Sequence, residues 1–81
     1  MLGSDNIESR LLELLPNLAG RLPDVDLGNA KNLIEHREWG VGLETLCTQL
    51  HEHEITLTKA ELDALNVLAA ELGVDISYLG K

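Results

Sequence analysis

Apolar residues recur along this chain at intervals of three and four, in four stretches separated by short breaks, which is the period of amphipathic helices. The first stretch runs from about Asp5 to Leu15, and Ile7, Leu11, Leu14, Leu15 and Leu18 share one stripe. Asp5 or Ser4 suits its N-cap, with Glu8 near the positive end of the helix dipole. Pro16 has no amide hydrogen and crowds the preceding turn, so it should stop or kink this helix. Gly20 and Pro23 then mark a loop. The second helix is expected to begin near Asp24 or Asp26 and run to Glu38, roughly 26–38, with Asp26 a plausible cap and Leu27, Ala30, Leu33 and Ile34 buried; Gly28 and Asn29 weaken its first turn.

Trp39-Gly40-Val41-Gly42 falls between this helix and the next, where the glycines either loosen a turn or let helices pack closely around the indole. The third helix, 41–54, buries Leu43, Leu46, Cys47 and Leu50. The fourth, 58–72, has the clearest start: Thr58 as cap, Glu61 three residues on to complete a capping box, and Leu57 before it as a hydrophobic staple. Its stripe is Leu62, Leu65, Leu68, Ala69 and Leu72, and Gly73 ends it in the left-handed conformation. The tail after Gly73 alternates weakly, and either packs back on the helices or extends as an arm. The pattern predicts an all-α, single four-helix domain over 1–81 with a short C-terminal tail, and shows no internal repeat or linker. An up-down bundle is the simplest topology, an orthogonal arrangement the other. The loop Ile55-Thr56-Leu57 is short and apolar enough to be buried.

Composition narrows the class. Eighty-one residues allow one domain, and domains this small fold alone only marginally. Hydrophobic residues make up 44% of the chain, too many for a disordered acidic tail. Fourteen acids against six bases leave a formal charge of −8. That excludes unaided binding to nucleic acid or to an anionic membrane surface, and predicts a basic protein as partner. The lone Cys47 allows no internal disulfide, the N-terminus has no signal-peptide pattern, and no apolar run spans a bilayer; a soluble cytoplasmic protein is expected. Trp39 and Tyr78 are the sole aromatics, so no platform for stacking bases is present.

The chemistry-bearing residues form no convincing reactive constellation. Asp24, Asp26 and Glu35 occupy positions 1, 3 and 12 of an EF-hand-like loop, but Asn29 stands where the turn requires glycine and Lys31 where an apolar residue belongs. His51 and His53 in His51-Glu52-His53-Glu54 are two apart, which splays them on a helix; a zinc pair needs a spacing of four. His36 is remote from both in sequence. Cys47 lies on an apolar stripe, and Ser4, Ser9 and Ser77 have no elbow or nearby base. An acyl carrier domain would match in size and charge, yet the chain has no serine between Ser9 and Ser77 to carry the prosthetic group. No catalytic residue, cofactor or metal ligand is therefore expected.

One stretch is familiar. The run Asn32-Leu33-Ile34-Glu35-His36-Arg37-Glu38-Trp39-Gly40-Val41-Gly42-Leu43-Glu44-Thr45-Leu46-Cys47, followed by Ile55-Thr56-Leu57-Thr58-Lys59-Ala60-Glu61, resembles the MafI-like immunity proteins. The shared pattern is an acidic helix end, a Trp-Gly turn, a "LE-L-C" helix and an "I-L-T" opening to the last helix, over about half the chain; Gly42 departs from it where Ala is more usual. The resemblance implies a small acidic helical antitoxin that binds a secreted polymorphic or contact-dependent inhibition toxin and blocks its active site. Related toxins are often nucleases, EndoU-like ribonucleases among them, and an acidic inhibitor suits a basic cleft. Glu35, Glu38, Glu44, Glu52, Glu54 and Asp63 are the expected toxin-binding acids, with Trp39 as an apolar anchor or, alternatively, a core residue locking the junction of helices two and three. The other reading is an acidic helical interaction or dimerisation module without a toxin; a monomer or weak dimer fits either.

Overall fold

In the computed structural model, which describes residues 3–79 and the side chains of residues 7–79, four helices follow one another. They are α1 (Gly3–Leu18), α2 (Asp24–Glu35), α3 (Trp39–Glu52) and α4 (Lys59–Leu72). No strand occurs among the described residues, so this is an all-α, four-helix domain. The expected cap at Ser4 or Asp5 lies outside the residues whose side chains are described.

Helix α1 does not stop at Pro16 but runs through it to Leu18. A proline inside a helix costs about 3 kcal/mol, through a lost hydrogen bond and a clash with the preceding turn. Two buried leucines beyond it offset that cost. Leu18 and Leu22 are each 3% exposed, and burying a leucine contributes about 1.5–3 kcal/mol. Leu22 reaches the core because Gly20, at φ 89°, turns the chain back so that the Leu22 N–H donates to the Leu18 carbonyl at 3.1 Å.

Helix α2 starts at Asp24, the earlier of the two expected starts. Pro23, not Asp26, is the cap residue; its carbonyl accepts from the Asp26 and Leu27 amides at 3.0 and 3.2 Å, and no side chain caps the helix. Asp24 and Asp26 instead occupy the first turn, where the helix dipole favours carboxylates. The helix also ends earlier, at Glu35. Arg37 takes a left-handed conformation (φ 65°), the Glu38 N–H donates to the Leu33 carbonyl at 2.9 Å, and the Arg37 N–H to the Ile34 carbonyl at 3.0 Å, a Schellman closure built without glycine.

Helix α3 consequently starts at Trp39, so Trp39-Gly40-Val41-Gly42 is its first turn and not an inter-helix turn. A Cβ on Gly42 would lie 3.0 Å from Ile34 Cγ1 and 3.4 Å from Leu33 Cβ. The glycine is where α2 and α3 approach, against aliphatic side chains, not the indole. Leu43, Leu46, Cys47 and Leu50 form the buried stripe of α3, as the spacing predicts. The helix closes by a second glycine-free Schellman arrangement: Glu54 is at φ 53°, its N–H donates to the His51 carbonyl at 3.1 Å, and the Ile55 N–H donates to the Leu50 carbonyl at 3.0 Å.

Helix α4 matches its signature. The Glu61 N–H donates to Thr58 Oγ1 at 3.1 Å and the Thr58 N–H to Glu61 Oε1 at 2.9 Å, while Gly73 ends the helix at φ 70°. The tail packs back: Ile76 is 3% exposed, and Val74, Tyr78 and Leu79 lie against the core. Of the α3–α4 loop, Ile55 and Leu57 are half-buried and Thr56 is exposed. Helices α1 and α3 each meet the other three, whereas α2 and α4 do not touch, so the α1–α3 pair forms the centre between them.

Candidate protein-binding surface

The apolar stripe of α3 faces inward, which turns Val41, Glu44, Thr48 and Glu52 outward along one line. All four are exposed, and Val41 keeps 48% of its surface. Glu38 precedes this line as the cap residue of α3, holding the helix start through its carbonyl, which accepts from the Gly42 N–H at 2.7 Å. Glu54 follows it, just past the helix end. Fourteen residues of helix span about 21 Å, so the two ends of this acidic line are well separated. Glu35 sits at the end of α2, near Glu38 in the chain and likewise exposed.

Two predicted contact residues are placed differently. Asp63 lies on α4, away from this line, and pairs with Lys59 at 3.5 Å one turn back. Trp39 is half-buried against the core, and its indole N–H donates to Glu8 Oε1 at 3.3 Å. The indole thus ties the start of α3 to α1.

Where the cations go decides the electrostatics. Arg10 forks onto Glu71 with bonds of 3.0 and 2.8 Å, joining α1 to α4. Arg21 forks onto Glu61 and also donates to the carbonyls of Thr56 (2.9 Å) and Asn17 (2.8 Å). Its guanidinium, together with the Thr58 amide, holds the Glu61 carboxyl down to about 2. Arg10 likewise lowers the Glu71 carboxyl below its ordinary value. Lys59 is taken by Asp63. Lys31 and Arg37 are exposed, with no ion pair to a described residue. Against those two stand Glu13, Asp24, Glu35, Glu38, Glu44, Glu52 and Glu54, all exposed and none ion-paired among the described residues.

The remaining reactive groups are dispersed. Burial pushes the Cys47 thiol up to about 12, so it stays protonated at neutral pH. His36 Nδ1 is 2.7 Å from the Asn32 carbonyl, His53 Nε2 is 3.2 Å from Asp26 Oδ2, and His51 meets Tyr78 edge to face at 5.2 Å. Asp24, Asp26 and Glu35 lie along one helix, with Asp26 turned to His53. No group of three or more metal-ligating side chains is placed to hold an ion among the described residues, and no helix there is long and apolar enough to cross a membrane.

A concavity unforeseen from the sequence opens at the far end of α3. It has a volume of about 520 Å³ and is lined by Leu50, His51, Glu54 and Ile55, by Leu57 and Leu62 at the start of α4, and by Tyr78 and Leu79 of the tail. The weak apolar alternation of the tail is the only sequence signal that bears on it. Comparison of the chain with models of protein families, with curated proteins and with solved structures finds no match.

Proposed function

We propose that this chain is an immunity-type inhibitor: an acidic helical protein that binds a basic toxin domain, a nuclease such as an EndoU-like ribonuclease, and covers its active site. One observation carries the electrostatic half of this reading. Three of the cations are engaged by the chain's own acids, Glu71, Glu61 and Asp63, so most of the exposed acids have no ion pair with a described residue. A surface of this kind attracts a basic cleft at long range. Steering raises association rates roughly 10–1,000-fold at low salt, and the contacts desolvated on docking set the lifetime of the complex. The toxin assignment comes from the resemblance of residues 32–47 and 55–61 to MafI-like immunity proteins.

The test is to co-express the chain with the C-terminal domain of any large secreted protein found to be encoded beside it. Growth should be rescued, and the two proteins should elute together in gel filtration. Persistent growth inhibition with no complex would sink the immunity reading. Within a complex, charge reversal at Glu38, Glu44, Glu52 and Glu54 should slow association and flatten its salt dependence. Unchanged association kinetics would remove the α3 face from the interface.

A further inference from the structure

The groove at the end of α3 has a feature that the fold itself does not use. Glu54 lines it from a backbone position at φ 53°, in the left-handed region where a side chain is disfavoured and glycine is the usual residue, as Gly73 is at the end of α4. The Glu54 carboxylate makes no hydrogen bond or ion pair with any described residue. Glu54, like Arg37 at the end of α2, is a charged residue in a left-handed closure, and here its carboxylate stands beside an apolar floor of Leu50, Ile55 and Leu62.

Charge selects the occupant. Among the described residues, those lining the groove include Glu54 and His51 but no lysine or arginine. Two cations close to the α4 side of the groove are engaged elsewhere: Arg21 holds Glu61, Asn17 and Thr56, and Lys59 pairs with Asp63. Glu52, two residues before Glu54, adds a second exposed carboxylate. An acidic segment would be repelled here, and a second copy would bring its own −8.

We propose that this groove receives an aliphatic side chain of a basic protein partner, with a neighbouring lysine or arginine of that partner paired to Glu54. The volume of about 520 Å³ is in the range that holds buried ligand groups. The inference rests on the partner being the basic protein proposed above, and adds where and how its chain is gripped.

The probe is a synthetic amphipathic leucine–lysine peptide, titrated into the isotope-labelled full chain and followed by amide NMR, with a leucine–glutamate peptide as counterpart. The basic peptide should shift the amides of Leu50, Glu54, Leu62 and Tyr78, and the acidic one should not. Glu54→Gly should weaken binding roughly fivefold, the upper range for a solvent-facing charge pair. The same variant should melt no lower than the parent chain, since glycine suits the left-handed position. Glu54→Gln isolates the charge and should weaken binding to a similar degree. The groove is excluded by equal binding of both peptides, by shifts confined to Glu44 and Glu52 on the outer face of α3, or by unchanged affinity in Glu54→Gly. A concentration-dependent dimer that shifts the same amides also overturns it. The peptide readout needs no toxin, so neutralisation without peptide binding discards the groove alone, and peptide binding without neutralisation discards the immunity reading alone.

Discussion

Two seams attach the flanking helices to the central α1–α3 pair; both bury apolar stripes, and they differ in the charged ties added to that packing. Between α2 and α3 the contact is apolar and close: Ile34 is fully buried, and the absence of a side chain at Gly42 sets the approach. One polar tie, His53 to Asp26, sits at the edge. Between α4 and the chain leading from α1, two arginines fork onto two glutamates, Arg10 onto Glu71 and Arg21 onto Glu61. Packing is insensitive to salt and to moderate pH, whereas charge-assisted bonds weaken with both. Salt and acid should therefore weaken the charged ties of α4 while its buried Leu65, Leu68 and Ala69 stay packed, and leave the α2–α3 seam unchanged.

Ile34→Ala tests the first seam most strongly. It should destabilise the fold by about 2–5 kcal/mol, read from urea midpoints, with the same loss at low and high salt. A loss that shrinks in salt would contradict an apolar seam. Gly42→Val should cost about 1–3 kcal/mol, because its Cβ would press on Ile34 and Leu33 and the added methyls have no space. Thermal melts that leave Gly42→Val level with the parent would show that the helices do not need this closeness.

The charged seam predicts a pH signature. The folded Glu61 carboxyl lies at about 2, below an ordinary value of 4.5. Its ionised form therefore stabilises the fold fully above about 4.5, and this contribution is lost as pH falls from 4.5 through 2. Glu61→Gln should flatten the acid limb of a stability–pH curve within that window. Glutamine still accepts from the Thr58 amide, so at neutral pH the variant should lose only about 0.2–1 kcal/mol, from the Arg21 ion pair. An acid limb identical to the parent's would mean that Arg21 and Thr58 do not grip Glu61 in solution. The smallest effect is expected at Arg10→Met, a modest loss at low salt that fades in concentrated salt, since this pair is solvent-exposed. A salt-independent loss at this position would point to packing of the arginine stem instead.

Helices were legible in the residues to the degree that their ends carry local chemistry. α4 begins and ends on Thr58, Glu61 and Gly73, each of which acts through a hydrogen bond or a backbone angle contained within a few residues. The ends of α2 and α3 were misjudged because Arg37 and Glu54 adopt the left-handed conformation with no glycine to announce it. Ile34 and Leu50, both buried, fix these ends, and the carbonyls of Leu33, Ile34, Leu50 and His51 accept the closing bonds. Pro16 misled in the opposite sense, since burial of Leu18 and Leu22 carries the helix through a residue that breaks helices in isolation. Of the predicted contact acids, Glu38, Glu44 and Glu52 fall along α3 and Glu54 at its end, while Asp63 sits on α4. That separation follows from which helix each belongs to, and the periodicity already contained it for Glu44 and Glu52.

By itself, the sequence determined four amphipathic helices, a leucine core, the capping of α4 and a large negative charge, because period, capping and net charge are properties of local spacing and composition. The tertiary structure alone decided which acids are left unpaired. Arg10 and Arg21 meet glutamates 61 and 40 residues away in the chain, and no local rule matches such partners. It alone also made the groove, since Leu50, Leu62 and Tyr78 converge only when α3, α4 and the tail close on one another. Surface shape and residual charge depend on long-range contacts, and those come into being with the fold.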